Sequence, residues 1–206
     1  MYTVYGDIKS GNCYKVYLLM NLLQLEFKWQ HVDILKQEAS TAQFKAMNAN
    51  AKVPVLKIHP NQYLSESNAI LNFLANGTNW LPQDPFTRAK ILEWQFFEQY
   101  SHEPYIAVAR FINQYLGLPK DREAEYASKQ AGGNKALTIM EAHLSKQDYF
   151  VNQQYTIADI SLFAYTHVAH EGGFNLSQYP AVGAWINRIQ SHPFHQPMAL
   201  KTTHND

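Results

Sequence analysis

Apolar and polar positions in the first third of the chain alternate between strand-like runs and one helical repeat. Tyr2 to Tyr5 and Phe27 to Val32 are short runs rich in β formers, and each predicts a strand. Between them, from Cys13 to Leu25, four apolar side chains recur with helical spacing, at Val16, Leu19, Met20 and Leu23. This repeat predicts an amphipathic helix. A short helix is also predicted from Thr41 to Met47, with Phe44 turned inward.

The segment from Met47 to Ser67 predicts two paired strands, a tight turn and the start of a helix. Val53 to Ile58 and Gln62 to Leu64 are the strand-like runs, and Asn61 breaks the chain between them. The order of elements is compatible with a parallel pair of strands extended by an antiparallel hairpin. We therefore predict a thioredoxin-like βαβ-α-ββα arrangement.

Pro54 lies inside the first of these runs, where a proline removes one donor from the strand ladder. We expect a cis Val53–Pro54 bond as the compensating feature. It would turn the backbone N–H and C=O of Val53 outward as a free pair for an extended ligand. The alternative is an edge-strand proline with no ligand, and this segment alone leaves both interpretations open.

A helix is predicted to start at Ser67, because Ile70, Leu71 and Leu74 follow with helical spacing. Ser67 is its predicted N-cap, with the hydroxyl and the nearby N–H groups at the positive end of the helix. Such an end binds carboxylates readily.

Beyond the turn-rich stretch from Gly77 to Pro85, the periodicity is helical. We expect Pro104 to kink a long helix that follows this stretch. A second long helix is predicted from Asp121 to Leu144, and Gly132-Gly133 is expected to bend or break it, because each glycine costs about 1 kcal/mol relative to alanine. Two further helical faces are formed by Ile157, Ile160, Ser161, Ala164 and Val168, and by Val182, Trp185, Ile186 and Ile189.

Thr156 and Asp159 have the spacing of a reciprocal cap at the start of the helix that contains Ile157. The threonine is the predicted N-cap, and the acid at the third helical position reaches back to it, much as in a capping box. We interpret this pair as a folding element without a functional role.

Composition restricts the class of protein. The chain has 206 residues, 46% of them apolar, with 17 basic and 17 acidic residues and no formal net charge. This balance argues against nucleic acid or an anionic membrane as the main partner. Its apolar runs are too short for a membrane span, and the single Cys13 excludes an internal disulfide framework, so we expect a cytoplasmic protein. The nine histidines lack the spacing of a metal site, and no metal is predicted.

The order of these motifs resembles the glutathione-binding half of the glutathione transferase family. The family pattern Asn-Pro-x-Gly-Lys-Val-Pro-x-Leu is matched by Asn48-Ala49-Asn50-Ala51-Lys52-Val53-Pro54-Val55-Leu56, with Ala49 and Ala51 in place of proline and glycine. Its Glu-Ser pair is matched by Glu66-Ser67 and its Thr-x-Ala-Asp cap by Thr156 to Asp159. The resemblance extends from Tyr2 to about Phe194.

The resemblance implies a thioredoxin-like glutathione-binding domain over residues 1–78. It implies an all-helical domain over residues 85–206 that contributes the electrophile pocket, with a loose tail after Pro197. Glutathione would be a co-substrate with no separate cofactor, a small apolar electrophile would be the second substrate, and the protein would be a homodimer with a role in detoxification. Tyr105, Phe111 and Tyr115 have the chemistry for that pocket, but aromatic residues at helical spacing are more often core, and His102 is more often solvated or capping. None of the four is assigned to the pocket.

Conjugation requires glutathione to react as a thiolate, and the pKa of its thiol is near 8.5 in water. A hydrogen-bond donor and a helix N-terminus at the sulfur lower that pKa. Ser10 matches the position at which serine-type members carry this donor, so it is the predicted catalytic residue; the alternative is a simple helix cap. Tyr5 is the position nearest to the donor of tyrosine-type members, and we interpret it as a structural strand residue. Cys13 is interpreted as a buried helix residue.

The family's glutathione contacts correspond to five residues of this sequence. Val53 and Pro54 would present the backbone that pairs with the cysteinyl part, and Glu66 and Ser67 would hold the γ-glutamyl amine and carboxylate. Lys52 would meet the glycyl carboxylate, with Lys36 a weaker candidate for the same role. Many serine-type members have arginine after Glu-Ser, whereas Asn68 occupies that position here.

Three functions remain open from the sequence. The first is a glutathione transferase that conjugates small apolar electrophiles. The second is a glutathione-dependent peroxidase or disulfide reductase that uses the same binding half. The third is a non-catalytic protein-interaction module with a transferase-like fold, which Asn68 favours and Ser10, Val53-Pro54 and Glu66-Ser67 oppose.

Overall fold

The computed structural model describes residues 1–198, and the contacts within it divide the chain into two compact units. The first unit comprises Met1–Asn76 together with the segment that begins at Pro193, and the second comprises Gly77–His192. The sequence prediction assigned the whole C-terminal segment to the helical domain. Most of the tail predicted to be loose, from residue 199 onward, lies outside the described residues.

The first unit is built on a four-stranded sheet in the order β2-β1-β3-β4. Its strands are β1 Tyr2–Gly6, β2 Phe27–His31, β3 Val55–His59 and β4 Gln62–Ser65. β1 pairs in parallel with β2 and antiparallel with β3, and β3 and β4 form the hairpin. Asn61 lies in the turn of that hairpin with a φ of 61°. The predicted parallel pair with an antiparallel hairpin, and with it the thioredoxin-like fold, is confirmed.

Three helices belong to the same unit: α1 Gly11–Leu22, α2 Ala42–Lys45 and α3 Ser67–Ala75. The prediction that α1 is amphipathic is wrong, because residues on all sides of it are buried, including Tyr14 and Lys15. Tyr14 Oη donates a hydrogen bond to the carbonyl of Gln196 at 2.8 Å, so the segment after Pro193 contacts this helix. A helix enclosed in this way has no solvent face for a polar stripe.

The second unit is helical, as predicted. Its α-helices are α4 Pro85–Phe97, α5 Glu103–Arg110, α6 Glu123–Leu144, α7 Ile157–Thr166 and α8 Pro180–Gln190. Two π-helical segments, Glu98–His102 and Phe111–Tyr115, flank α5. Helical residues run without a gap from Pro85 to Tyr115, so the predicted long helix is present. Pro104 lies directly after the first π segment, where the regular hydrogen-bond pattern of the helix changes.

Helix α6 passes through Gly132 and Gly133 as one continuous helix, so no break occurs at these glycines. Both glycines are sites of close packing. A Cβ added at Gly132 would lie 2.2 Å from the ring of Tyr105, and one added at Gly133 would lie 2.3 Å from the ring of Phe174. Glycine lowers the helix propensity at these two positions, but any larger residue would collide with an aromatic ring.

The predicted capping box at Thr156 is confirmed. Thr156 Oγ1 accepts a hydrogen bond from the N–H of Ala158 at 3.3 Å, and Asp159 Oδ2 accepts one from the N–H of Thr156 at 2.9 Å. Both residues are fully buried. Asp159 Oδ1 also accepts hydrogen bonds from the N–H of Phe150 at 3.1 Å and from Trp185 Nε1 at 3.0 Å. The box therefore also joins α7 to α8 and to the segment before α7.

Among residues 1–198, no helix combines the length and apolar character needed to cross a membrane. Within the same residues, no group of three or more His, Cys, Asp or Glu side chains has an arrangement suited to a metal ion.

Candidate functional site

The loop between β1 and α1 is tightly constrained by main-chain and side-chain hydrogen bonds. Asp7 Oδ1 accepts from the N–H of Lys9 at 3.0 Å, and the Asp7 carbonyl accepts from the N–H of Ser10 at 2.9 Å. Gly6, at the end of β1, has no room for a side chain, because a Cβ there would lie 2.7 Å from Cys13 Sγ. The loop thus brings Ser10 to the start of α1 with a defined backbone.

Ser10 is the N-cap residue of α1, with an extended backbone at φ −73° and ψ 126°. Its hydroxyl makes no capping hydrogen bond to the helix, which distinguishes it from an ordinary capping serine. Instead the hydroxyl interacts with the thiol of Cys13. Ser10, which is partly exposed, therefore places its hydroxyl at the positive end of a helix, in contact with Cys13 of the first turn.

Cys13 and Tyr5 are the other two candidates for contact with the glutathione thiol, and both are packed within the first unit. Cys13 is fully buried, and burial raises the pKa of its thiol to about 12. A thiol with this pKa is not a thiolate at neutral pH, and the interpretation of Cys13 as a buried helix residue is confirmed. Tyr5 lies in β1 and packs against the apolar cluster that contains Phe44 and Val55.

The loop before β3 contains the Val53–Pro54 peptide bond, which is cis as predicted. Asn48 holds this loop from within: its side-chain Nδ2 donates to the carbonyl of Lys52 at 2.8 Å, and its Oδ1 accepts from the N–H of Asn50 at 3.1 Å. In the described part of the chain, no hydrogen bond engages the backbone N–H or C=O of Val53.

Ala51, in the same loop, has the left-handed backbone that favours glycine, with a φ of 54°. An alanine there costs about 1 kcal/mol relative to its preferred conformations. The loop therefore keeps a glycine-type path although the sequence has alanine in place of the family's glycine.

We expect Ala51→Gly to stabilise the protein by about 0.5 to 1 kcal/mol, because the relief of left-handed strain exceeds the entropy that glycine adds to the unfolded chain. Urea unfolding followed by circular dichroism measures the change. Ala49→Gly is the matched control: Ala49 has no positive φ, so this substitution should destabilise slightly. Equal effects of the two substitutions would contradict the strain argument.

Glu66 and Ser67 lie where β4 meets α3. Glu66 has φ 68° and ψ 113°, a sparsely populated conformation for a side-chain-bearing residue, and strain of this kind is concentrated at functional sites. Glu66 is the N-cap of α3 and its exposed carboxylate makes no capping bond. The prediction that Ser67 is the N-cap is wrong, because Ser67 is the first helical residue and its hydroxyl is directed to other side chains.

Those side chains belong to a buried polar group of Asn12, Lys15 and Ser67. Asn12 Oδ1 accepts from Lys15 Nζ at 2.9 Å and from Ser67 Oγ at 3.2 Å, while Lys15 Nζ lies 3.4 Å from Ser67 Oγ. The group joins the first turns of α1 and α3. Sequence reasoning missed Asn12 and Lys15; the available signal was that Lys15 is in helical register with Leu19 and Leu22 on an otherwise apolar helix.

The register of the hairpin connects the remaining predicted residues. Val55 of β3 is paired with Ser65 of β4, so the Val53–Pro54 loop and Glu66 leave the hairpin at the same end. The Asn12 to Ser67 hydrogen bond in turn links Glu66-Ser67 with the loop that carries Ser10. The structure therefore brings these segments to one edge of the first unit.

The two candidate lysines differ in their surroundings. Lys52 is exposed, and Lys36 is exposed and lies 3.4 Å from Asp33 Oδ2 in an ion pair. A surface pair of this kind contributes about 0 to 1 kcal/mol. Lys52 is thus the less engaged of the two, and its contact with the glycyl carboxylate stays a prediction.

In the helical unit, the ring of the half-buried Tyr105 packs against Gly132. His102 is fully buried, with its Nε2 2.9 Å from Thr166 Oγ1, so the expectation of a solvated or capping histidine is wrong. The sequence did not indicate this, because His102 continues a helically spaced row of polar residues, Gln95 and Glu98, which predicts a solvent-facing stripe although all three are buried.

A thioredoxin-like unit with a cis-proline loop and a strained acidic residue before a helix, followed by a helical unit, defines a class of two-part thiol-binding proteins. The sequence-family model of the glutathione S-transferase N-terminal domain matches residues 10–76, and the family model of the C-terminal domain matches residues 94–193. The chain belongs to the glutathione S-transferase family.

Several relatives support this assignment. The crystal structure of a glutathione S-transferase from Pseudomonas fluorescens Pf-5 is 57% identical with a TM-score of 0.94, over 96% of this chain and 98% of that chain. A glutathione S-transferase from Xanthobacter autotrophicus Py2 is 42% identical with a TM-score of 0.93, over 97% of each chain. Disulfide-bond oxidoreductase YfcG of Escherichia coli is 25% identical over 204 residues, which cover 96% of this chain and 94% of that protein.

Proposed function

We propose that this transferase conjugates the thiolate of glutathione to small apolar electrophiles, with Ser10 as the donor to the thiolate. The observation that carries the proposal is the Ser10 hydroxyl, which lies at the N-terminus of α1 and makes no capping bond. The hydroxyl donates to the sulfur and attacks nothing. Together with the positive end of the helix it lowers the pKa of the thiol, so that more of it is ionised at neutral pH.

The remaining contacts of glutathione follow the edge of the first unit. The backbone of Val53, beside Pro54, pairs with the cysteinyl residue through its N–H and C=O. Glu66 holds the γ-glutamyl amine, and Ser67 with the first N–H groups of α3 holds the γ-glutamyl carboxylate. Lys52 meets the glycyl carboxylate. Support for this arrangement comes from the exposed Glu66 carboxylate, its strained backbone and the unengaged Val53 main chain.

We expect Ser10→Ala to lower kcat/KM for conjugation about 10- to 100-fold at neutral pH, because a hydrogen bond to a charged group contributes about 1.5 to 3 kcal/mol. The pKa of the bound thiol should rise, and glutathione affinity should change little. Steady-state kinetics with an aromatic chloride electrophile and the ultraviolet absorbance of the bound thiolate measure the two quantities.

Tyr5→Phe is the matched control, since it removes the other candidate hydroxyl while leaving the packing of β1 in place. It should keep near-native kcat/KM. Full activity of Ser10→Ala together with loss of activity in Tyr5→Phe would assign the donor to Tyr5 instead.

Glutathione-dependent disulfide reduction is a second candidate, favoured by the similarity to Disulfide-bond oxidoreductase YfcG. Cys13 would not act in it, because its thiol is buried and its raised pKa keeps it protonated. The bound glutathione thiolate would then attack the disulfide, and a second glutathione would release the product. Turnover of a small disulfide coupled to glutathione reductase tests this activity, and loss of that turnover in Cys13→Ala would contradict the proposed route.

Calorimetric titration with glutathione separates both enzymatic functions from a non-catalytic interaction module. A dissociation constant in the millimolar range or lower, which corresponds to a binding free energy of about −4 kcal/mol or more favourable, supports an enzyme. No detectable binding would favour the interaction module.

A homodimer in the cytoplasm is the state we propose for this protein. Leu92, Phe96 and Tyr100 follow one another at four-residue intervals and are 41%, 59% and 76% exposed, which leaves an apolar row on the second unit. A row of this kind supports burial against a second copy. Sedimentation velocity tests the state, and a monomer at micromolar concentration would contradict it.

The single, unpaired Cys13 is compatible with a reducing compartment.

A further inference from the structure

Lys15 is fully buried, which is exceptional for a lysine. The long side chain has to leave water, and an ammonium group is costly to bury unless its hydrogen bonds are replaced. If the side chain at this position of α1 only filled space, leucine or methionine would fill it without the cost of burying a charge. The presence of a cation there calls for a role that an apolar side chain cannot perform.

The ammonium group is next to the γ-glutamyl end of the proposed glutathione site. Lys15 Nζ donates to Asn12 Oδ1 at 2.9 Å and lies 3.4 Å from Ser67 Oγ, at the first residue of α3. Position 68, next in the chain, carries no charge because it is asparagine. Lys15 thus places a positive charge beside the hydroxyl of Ser67, the first residue of α3.

We propose that Lys15 is the positioning cation of the γ-glutamyl subsite. Its ammonium group donates to the Ser67 hydroxyl oxygen and to Asn12, and its charge adds to that of the N-terminus of α3 in favouring a bound α-carboxylate. This inference rests on the proposed binding of glutathione. It predicts that Lys15 acts on the γ-glutamyl end of the ligand, because Nζ contacts Asn12 and Ser67 at that end.

The first step of the reasoning is electrostatic. A charge behind Ser67 is shielded from water by the protein, so its attraction for an anion at the helix terminus is screened less than that of a surface lysine. The second step is geometric. Asn12 Oδ1 receives two donors, from Lys15 and Ser67, and this fixes the amide so that its oxygen faces the group.

The test is a thermodynamic cycle that uses two ligands and two proteins. The ligands are glutathione and γ-aminobutyryl-cysteinyl-glycine, which lacks only the α-carboxylate. Calorimetry should show that the native protein prefers glutathione by about tenfold or more, and that Lys15→Met reduces this preference to about threefold or less. A purely structural lysine would weaken both ligands by the same factor and leave the preference unchanged.

Lys52→Met is the matched control, because it removes a lysine assigned to the opposite end of glutathione. It should weaken both ligands equally and keep the preference for the α-carboxylate. An undiminished preference in Lys15→Met would overturn the inference while leaving the proposed function intact. Absence of glutathione binding by the native protein would instead overturn the proposed function.

A measurement on the native protein applies if Lys15→Met does not fold. The buried ammonium of Lys15 is followed by nitrogen-15 NMR of lysine-labelled protein during titration. Glutathione should shift this resonance, and γ-aminobutyryl-cysteinyl-glycine should shift it much less. Equal shifts with both ligands, or none with either despite binding, would overturn the inference.

Discussion

Asp159→Ala is expected to lower the free energy of unfolding by about 3 to 5 kcal/mol, the largest effect that we predict for a single side chain in the helical unit. The fully buried carboxylate accepts hydrogen bonds from two Thr156 donors, from the N–H of Phe150 and from Trp185 Nε1. Alanine leaves these donors buried without that acceptor, and each unsatisfied group costs about 1 to 3 kcal/mol. Urea unfolding followed by circular dichroism measures the loss.

The pH dependence of this effect follows from the pKa of Asp159, which burial raises to about 6 against the opposing influence of its four donors. The folded state therefore holds a proton between about pH 4 and pH 6 that the unfolded state has released. The part of the stability that depends on this proton is complete below the unfolded pKa and is lost as the pH rises through about 6, whereas the hydrogen bonds to the side chain contribute at both pH values. The gap between the native protein and Asp159→Ala should thus be about 1 kcal/mol larger at pH 5 than at pH 7.

Asp159→Asn refines the interpretation. The amide is neutral and avoids the desolvation that raises the pKa of the acid, but its single carbonyl oxygen can serve only part of the donor set. Its loss of stability should lie between zero and that of Asp159→Ala. Asp121→Asn, at an exposed position, is the control and should change stability by less than about 0.5 kcal/mol. Equal stability of Asp159→Ala and the native protein would contradict the role of the box.

Gly133→Ala is the second large effect, with an expected loss of about 2 kcal/mol or more. The new Cβ would lie 2.3 Å from Cε1 and 2.4 Å from Cζ of Phe174, which is 2% exposed and cannot turn into solvent. Overpacking of this kind costs about 1 to 3 kcal/mol and occasionally more, which exceeds the gain of about 1 kcal/mol in helix propensity. Thermal and urea unfolding measure the change.

Gly183→Ala provides the matched control in α8, because a Cβ at Gly183 has no atom within 4 Å. It should stabilise the protein by about 0.5 to 1 kcal/mol through helix propensity alone. The two substitutions make the same chemical change in two helices, so opposite signs isolate the contact with Phe174. Stabilisation by both would show that Phe174 yields at little cost.

The elements that the sequence predicts well depend on local chemistry. The hairpin around Asn61, the cis bond at Pro54 and the capping box at Thr156 each follow from residues within a few positions of one another. The order of these elements was sufficient for the thioredoxin-like fold. Ser10 at the start of α1 was also predictable, because a loop between a strand and a helix places its last residue at the N-cap.

The features that the sequence did not reveal depend on distant partners. The space around Gly133 is taken by Phe174, and the burial of Lys15 depends on Ser67, 52 positions away. His102 was missed for a similar reason, because the polar row of Gln95, Glu98 and His102 is buried, and His102 contacts Thr166, 64 positions away. The N-cap of α3 was predicted one residue too late. Ser67 was expected there, but Glu66 occupies the N-cap position directly after the end of β4.

The hydrogen bond from Tyr14 to Gln196 joins residues 182 positions apart within the first unit. During synthesis, the strands and helices of that unit leave the ribosome first, and the whole helical unit follows before Gln196 is available. Domains generally fold in the order in which they emerge. The nascent first unit must therefore wait until Gln196 has left the ribosome before Tyr14 acquires this acceptor.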